Sequence, residues 1–311
     1  MSRWPPALAR ATGTSHRIRL DPPSVAIGDI SHDSGPSMTR DLNADSIEYF
    51  VFDIESVADG DLVAKVRYPD EQLSPDEAVQ RYRAELLESH GSDFIPYTFQ
   101  VPTSIIIGKV TSDLRLIDMV SLDEPNYRPH EITRLFWAGW EAYHRPTLVT
   151  FNGRVFDVPL LELAAFRFGI SCKGWFNSQA RTYEQNRNRY NQASHFDLYD
   201  VLTNFGASRF SGGLNLAANL LGKPGKIEVK GHMVQDLYHE GRLREIADYC
   251  RCDVLDTYFV FLRAQVLLGN ITLETEQQLV DGAREWIEQR SEPGSAYETY
   301  LQQWGDWTNP W

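Results

Sequence analysis

The segment 47–55 constrains the fold of this chain more than any other. Its sequence, Ile-Glu-Tyr-Phe-Val-Phe-Asp-Ile-Glu, consists almost entirely of residues that favour β-structure and predicts a buried strand. Asp53 and Glu55 lie two residues apart near its carboxyl end, so their side chains point to the same side. Burying two like charges together is costly unless a cation accompanies them. The segment therefore predicts a carboxylate pair at the strand end, where open α/β sheets bind ligands.

The remaining pattern predicts an α/β fold in which helices cover a mixed sheet. Ser74, Pro75 and Glu77 form a capping box that starts a helix over 74–89. Residues 196–202 fit either an edge strand or the start of a helix. The further predicted strands span 104–110, 114–120 and 147–151, and the further helices span 129–143, 158–168, 214–221, 245–267 and about 274–289.

Composition divides the chain into three predicted parts. Residues 1–45 are rich in proline, serine and glycine and predict a flexible N-terminal arm. Residues 46–270 form the predicted domain. Residues 271–311 predict a C-terminal helix and a tail that contains Trp304, Trp307 and Trp311. We expect these tryptophans to pack on the domain, although a platform for base stacking is the alternative.

The charge and the cysteines limit the class of protein. The formal net charge of −13, from 30 Lys and Arg against 43 Asp and Glu, argues against a protein that coats nucleic acid. It leaves room for an enzyme that holds a few nucleotides. Three cysteines give no disulfide framework and favour a reducing, cytoplasmic location. Because no apolar run approaches about 20 residues, no membrane partner is expected. The arginines among the first twenty residues fit an unstructured terminus better than a transit segment.

A third carboxylate, Asp157, follows the predicted strand 147–151. The turn between them contains Asn152, whose side chain can hydrogen-bond the turn backbone, and Gly153, which permits a positive φ. Asp157 stands where a helix begins, two residues before Pro159. Asp157 is therefore either a helix N-cap or a metal ligand.

A fourth carboxylate, Asp253, lies on the predicted helix 245–267. Tyr249 precedes it by four residues, so the phenol and the carboxylate share one helix face. Cys250 and Cys252 diverge around the helix and are expected to be structural. Together the four acids form a set of hard oxygen ligands without histidine or cysteine. Such a set suits two Mg²⁺ or Mn²⁺ ions, the arrangement used for attack at phosphorus.

Three short motifs resemble those of the DEDD exonuclease superfamily. Phe52-Asp53-Ile54-Glu55 is similar to the first motif, and Asn152 to Asp157 matches the second, Asn-x-x-x-(Phe/Tyr)-Asp. Tyr249 to Asp253 matches the third, Tyr-x-x-x-Asp, of the tyrosine (DEDDy) branch. The segment 47–262 resembles the stand-alone 3′-5′ exonucleases related to family B DNA polymerases. The resemblance implies a ribonuclease H-like fold with a five-stranded mixed sheet, and it makes 46–270 an exonuclease domain.

The resemblance also implies roles for individual residues. Asp53 would bridge two ions, Glu55 and Asp253 would complete the ion that carries the attacking water, and Asp157 would help to hold the other ion. Tyr249 would orient the water, because a phenol with a pKa near 10 is a poor base at neutral pH. The expected residues of the terminal-nucleotide pocket are Asn152, Phe156 and Ile54. The substrate would be the 3′ end of single-stranded DNA or RNA, with DNA favoured.

Other readings of the function stay open at this stage. The segment 171–232 carries eight Lys and Arg against four acids, with Tyr183 and Tyr190 between them, and is either a substrate-binding surface or simply a basic loop. Asp197, within it, is expected to be a helix cap or a buried acceptor of backbone hydrogen bonds. A catalytically silent nucleic-acid-binding module, a phosphoesterase for small nucleotides and an RNA-trimming enzyme are the alternatives to a DNA exonuclease.

Overall fold

The computed structural model describes residues 47–225 and 233–311. The predicted N-terminal arm lies outside these residues, as do Lys226 and Lys230 of the basic segment. Within the described ranges, no helix has both the length and the apolar character that a membrane span requires.

Five strands form one mixed sheet, as the resemblance to the DEDD exonucleases implies. They are β1 (Ile47–Ala58), β2 (Gln100–Thr111), β3 (Leu116–Ser121), β4 (Thr147–Thr150) and β5 (His195–Asp197), in the spatial order β3-β2-β1-β4-β5. β1 and β2 are antiparallel, as are β2 and β3. β4 runs parallel to both β1 and β5. The long central strand β1 therefore extends past the carboxyl end of β4, and the junction where β4 stops carries the site.

Helices flank the sheet; some connect its strands, and the others follow β5 in the chain. They are α1 (Gly60–Arg67), α2 (Pro75–His90), α3 (Pro129–Ala142), α4 (Asp157–Phe168), α5 (Leu198–Thr203), α6 (Gly213–Asn219), α7 (Met233–His239), α8 (Leu243–Leu267), α9 (Leu273–Glu288) and α10 (Ala296–Gln302). The sequence pattern missed α1, α7 and α10, which have at most eight residues and give little periodicity. It also left 196–202 undecided, and that segment contains both the end of β5 and most of α5.

Local signals set the helix ends where the sequence places them. Ser74 and Glu77 form the predicted capping box, in which the Ser74 backbone N–H donates to the Glu77 carboxylate at 2.8 Å. α4 stops at Gly169, whose φ of 69° lies in the left-handed region that favours glycine. Both helix ends are confirmed. They could be predicted because each depends on contacts within about four residues.

The two faces of β1 pack against different helices. Phe52 contacts Phe136 of α3, with ring centroids 5.0 Å apart, on one face. Tyr49 contacts Phe261 of α8, with centroids 5.1 Å apart, on the other. Because strand side chains alternate, the odd-numbered residues of β1, Asp53 among them, share the face that meets α8. The alternation therefore brings the first acidic motif to the helix that carries the third.

The C-terminal segment contacts the rest of the described chain through buried groups. The Tyr300 hydroxyl donates to the Asp256 carboxylate at 2.6 Å, and both side chains are fully buried. Trp304 packs on Phe259 and lies under the Lys223 ammonium, which is 3.8 Å from its ring centroid. Trp311, in contrast, is 96% exposed. The domain boundaries at residues 45 and 270 stay predictions.

Candidate active site

Strand β1 carries two carboxylates in the part that extends past the end of β4. Asp53 pairs with Ile106 of β2, and Glu55 pairs with Ser104. The register then shifts between Glu55 and Ser56, a β-bulge of the kind that redirects side chains beside functional sites. Asp53 and Glu55 are both half-buried. The strand thus holds the pair at the protein surface with limited access to water.

Helix α8 brings a third carboxylate to the same point. Asp253, which is 9% exposed, follows Tyr249 by one helical turn, and Tyr249 is 6% exposed. One carboxylate oxygen each from Asp53, Glu55 and Asp253 lie within 4.8 Å of one another. Residues that are about 200 positions apart in the sequence thus form a group with the size of a metal site.

The turn after β4 differs in detail from its prediction. Asn152, not Gly153, takes the left-handed backbone conformation, with a φ of 67°. Gly153 is required for a different reason, since a Cβ at this position would lie 2.5 Å from the Thr150 hydroxyl oxygen. Asparagine is among the few residues that tolerate positive φ. The expectation for Gly153 is therefore wrong in mechanism, although a turn is present.

The fourth acid, Asp157, is the first residue of α4 and not its N-cap. The N-cap is Phe156, which makes no side-chain capping hydrogen bond. Asp157 is 6% exposed and lines the same cavity as the other three acids, but it is not among those whose oxygens lie within 4.8 Å. Burial, followed by the negative charge of Asp197, raises the pKa of Asp157 to about 7. The N-cap alternative is thus wrong, and Asp157 is instead a buried acid in the first turn of α4.

Asp197 fixes the turn from the neighbouring strand. Its carboxylate accepts the backbone N–H groups of Asn152 and Arg154, both at 2.8 Å, and that of Tyr199 at 3.0 Å. The last of these makes Asp197 the N-cap of α5. The expectation of a helix cap or a buried backbone acceptor is confirmed in both parts. Asp197 therefore positions the turn that leads to Asp157.

A single cavity joins these elements. Its volume is about 490 Å³, and its walls include all eight residues that the sequence assigns to the site. These are Asp53, Ile54, Glu55, Asn152, Phe156, Asp157, Tyr249 and Asp253. The structure thus places every one of the predicted site residues on one cavity, although their roles stay predictions.

The cavity also contains residues that the motifs do not include. Arg83 comes from α2, and Asp93 and Phe94 come from the segment that follows it. The Phe94 side chain is 60% exposed, and its ring centroid lies 5.6 Å from that of Phe156. Gln235 of α7 accepts the backbone N–H of Ala58 at 2.8 Å and so closes the end of β1. No local pattern marks these residues, because their positions depend on the packing of distant segments.

Burial and mutual repulsion both disfavour the charged forms of the acids in this cavity. Burial, followed by the charges of Asp157, Asp253 and Glu55, raises the pKa of Asp53 well above its usual range. Burial and then the neighbouring Asp253 and Glu55 carboxylates also raise the pKa of Tyr249, so this side chain stays a neutral phenol at neutral pH. The Cys250 thiol lies 3.3 Å from the Asp53 carbonyl oxygen within the core, which fits the expected structural role.

The donor set fits divalent cations such as Mg²⁺ and Mn²⁺. Every ligand candidate is a carboxylate, the donor type that these hard cations prefer. The raised pKa of Asp53 shows that the acids repel one another, and a bound cation would offset that repulsion.

The basic segment is less available than its composition suggests. The Arg187 guanidinium pairs with both oxygens of Glu162, at 2.9 and 3.0 Å. Arg189 lies 3.2 Å from Asp200, and Lys223 is only 5% exposed. These three cations are thus engaged within the protein. Tyr183 and Tyr190 are 61% and 66% exposed, and the expectation of a substrate surface here stays a prediction.

The fold and the acidic site together define a class, the ribonuclease H-like exonucleases, in which a five-stranded mixed sheet is flanked by helices. Within it, the chain belongs to the family of predicted 3′-5′ exonucleases related to the exonuclease domain of PolB, whose model matches residues 92–304. No curated protein shows a significant match. The matched range includes Asp157, Tyr249 and Asp253 but begins after Asp53 and Glu55, which pairing of β1 with β2 and β4 brings to the same site.

Proposed function

We propose that this protein is a metal-dependent 3′-5′ exonuclease that hydrolyses phosphodiester bonds of single-stranded nucleic acid, with DNA favoured. The observation that carries the proposal is the approach of Asp53, Glu55 and Asp253 to within 4.8 Å, in a cavity that also contains Asp157. Membership of an exonuclease family supports the nuclease activity. The acids and the cavity support the metal dependence.

The four carboxylates would hold two Mg²⁺ or Mn²⁺ ions. Asp53 is the candidate bridging residue, because the charges of the other three acids all act on it. When bound, such ions would lower the pKa of the attacking water and stabilise the charge that develops on the phosphorus oxygens. The sheet and α8 fix the backbone of Asp53, Glu55 and Asp253, and so keep their carboxylate oxygens close together.

Tyr249 is proposed to position the attacking water by hydrogen bonding. Its raised pKa keeps the hydroxyl protonated, so that it cannot act as a base at neutral pH. Asn152, Phe156 and Ile54 line the cavity beside the acids and would contact the terminal nucleotide. An aromatic ring such as Phe156 can stack on any base, which suits an enzyme that removes nucleotides in succession.

The test is a degradation assay with single-stranded DNA and RNA that carry a label at either end. We expect stepwise shortening from the 3′ end with Mg²⁺ or Mn²⁺ and none with EDTA. Asp53→Ala and Asp253→Ala should both abolish it, whereas Glu48→Gln, an exposed residue of the same strand, should not. Activity that survives in Asp253→Ala would contradict the assignment of the site. Faster degradation of RNA than of DNA would make the protein an RNA-trimming enzyme instead.

A further inference from the structure

A helical hairpin inserted between β1 and β2 forms one wall of the cavity. It consists of α1 and α2, and it has a small core of its own. The residues of that core are Val63, Tyr68, Ala78, Val79, Tyr82 and Ile95. Both helices precede the range that matches the exonuclease family. The two helices lie between the first and second motifs, so the wall that they form is not part of any of the three motifs.

The hairpin places a cation at the cavity that lacks a protein partner. Arg83 lines the cavity, is half-buried, and makes no ion pair or hydrogen bond with any residue of 47–225 or 233–311. Its Nε atom is buried without an acceptor. In contrast, Arg67 and Arg81 on the same hairpin pair with Glu85 and Glu71. A buried N–H without an acceptor is destabilising, so an unexplained one beside a cavity indicates a ligand that supplies the acceptor.

The charges of the cavity identify the kind of ligand. With two divalent cations bound, the charges of the four carboxylates are offset, and the cavity wall then holds, among the residues that the structure describes, one cation, Arg83, and one further acid, Asp93. The Arg83 Nε–H still lacks an acceptor in the described part of the chain. Arginine binds phosphate through two parallel hydrogen bonds and keeps its charge at any pH of interest. We infer that Arg83 binds a phosphate group of the nucleic-acid strand near its 3′ end. This inference depends on the proposed function and adds to it a phosphate-binding residue outside the family motifs.

The first measurement is the steady-state hydrolysis of single-stranded DNA by Arg83→Ala, Arg83→Lys and Arg81→Ala. Loss of a charged hydrogen-bonding partner should raise KM of Arg83→Ala about ten- to hundredfold, with a smaller change in kcat. Arg83→Lys should recover part of this loss, since lysine keeps the charge but not the paired hydrogen bonds. Arg81 lies two residues away and pairs with Glu71, so its variant controls for damage to the hairpin and should keep a normal KM.

A second measurement identifies the phosphate directly. Substrates with one neutral methylphosphonate linkage at a time are degraded by the unsubstituted protein and by Arg83→Ala. The increase in KM caused by Arg83→Ala should disappear for one linkage and persist for the others. At the linkage that Arg83 contacts, the neutral methylphosphonate has already removed the interaction, so the substitution has nothing further to remove. Fluorescence anisotropy can follow the binding of a labelled oligonucleotide in the presence of Ca²⁺ at several salt concentrations. The slope of the logarithm of the binding constant against the logarithm of the salt concentration should be smaller by about one in Arg83→Ala.

Thermal unfolding separates this role from a structural one. A partner-free cation contributes little to folding, so Arg83→Ala should have an unchanged or higher Tm. Equal KM values for Arg83→Ala and the unsubstituted protein would overturn the inference alone, and so would the same KM increase in Asp93→Asn, because Arg83 would then act through that carboxylate. If the unsubstituted protein degrades no strand under any metal condition, the proposed function and the inference both fail.

Discussion

The Asp197 carboxylate accepts the backbone N–H of Asn152 at 2.8 Å and thereby ties the end of β5 to the turn that follows β4. Asn152 is the residue of that turn in the left-handed conformation. The same carboxylate receives two further backbone N–H groups and is only 3% exposed. The position of Asp157 therefore depends on an acid that lies on another strand and has no place in the three motifs.

We expect Asp197→Ala to lower the free energy of unfolding by about 1–3 kcal/mol, because three backbone N–H groups of half-buried residues lose their acceptor. Asp197→Asn keeps one oxygen and should lose less. Urea unfolding measures both, and the hydrolysis rate should fall in the same order as the turn loosens. Equal stability of Asp197→Ala and the unsubstituted protein would show that these hydrogen bonds do not hold the turn.

Gly153→Ala should be destabilising by about 1–3 kcal/mol, the usual range for inserting a methyl group into a packed site. The new Cβ would lie 2.5 Å from the Thr150 hydroxyl oxygen and would force the turn away from β4. Gly139→Ala is the matched control, since its Cβ meets no atom within 4 Å and α3 should gain up to about 1 kcal/mol. Thermal unfolding compares the two, and a Gly153→Ala variant as stable as this control would contradict the crowding.

Replacing Asp53 with asparagine should stabilise the protein in EDTA while it abolishes hydrolysis. The substitution removes one of several buried acids that repel one another. Mn²⁺ at a hundredfold excess over its Kd should add about 2.7 kcal/mol to the free energy of unfolding of the unsubstituted protein and so raise its Tm. The same Mn²⁺ concentration should have little effect on the Tm of Asp53→Asn. Glu48→Gln should respond to Mn²⁺ like the unsubstituted protein. Equal Mn²⁺ responses of the Asp53→Asn and Glu48→Gln variants would place the metal elsewhere.

The buried His195 predicts a loss of stability in mild acid. Burial, and then the charge of Arg154, lower the pKa of His195 well below its usual range, so the folded protein keeps the imidazole neutral. The unfolded chain binds the proton below a pH of about 6.5, and stability therefore falls as the pH drops through this value, by at most about 1.4 kcal/mol per pH unit.

The raised pKa values of Asp53 and Asp157 act in the opposite direction, so the effect of His195 must be isolated with a variant. As the pH is lowered from 6.5 to 5, the free energy of unfolding of His195→Gln should fall less steeply, or rise more, than that of the unsubstituted protein. Urea unfolding at several pH values gives both curves. If the curves run parallel in this interval, the imidazole has the same pKa in the folded and unfolded chain.

Part of the candidate site is visible in the sequence because it depends on short-range geometry. Asp53 and Glu55 share a strand face through the two-residue alternation, and Tyr249 and Asp253 share a helix face through the four-residue turn. β5, only three residues long, is a strand because it pairs with β4. The sequence leaves this segment open between an edge strand and the start of a helix, since three residues carry too little pattern to decide.

The sequence by itself determined the strand that carries the first acids, the helix that carries the last, and the oxygen-only character of the site. Only the tertiary structure decided that Asp157 begins a helix without capping it, that Asn152 and not Gly153 takes the left-handed conformation, and that Arg83 reaches the cavity. The physical reason is range. Alternation, turn length and capping act within a few residues, whereas burial, charge repulsion and the absence of a partner depend on segments that meet only when the chain is folded.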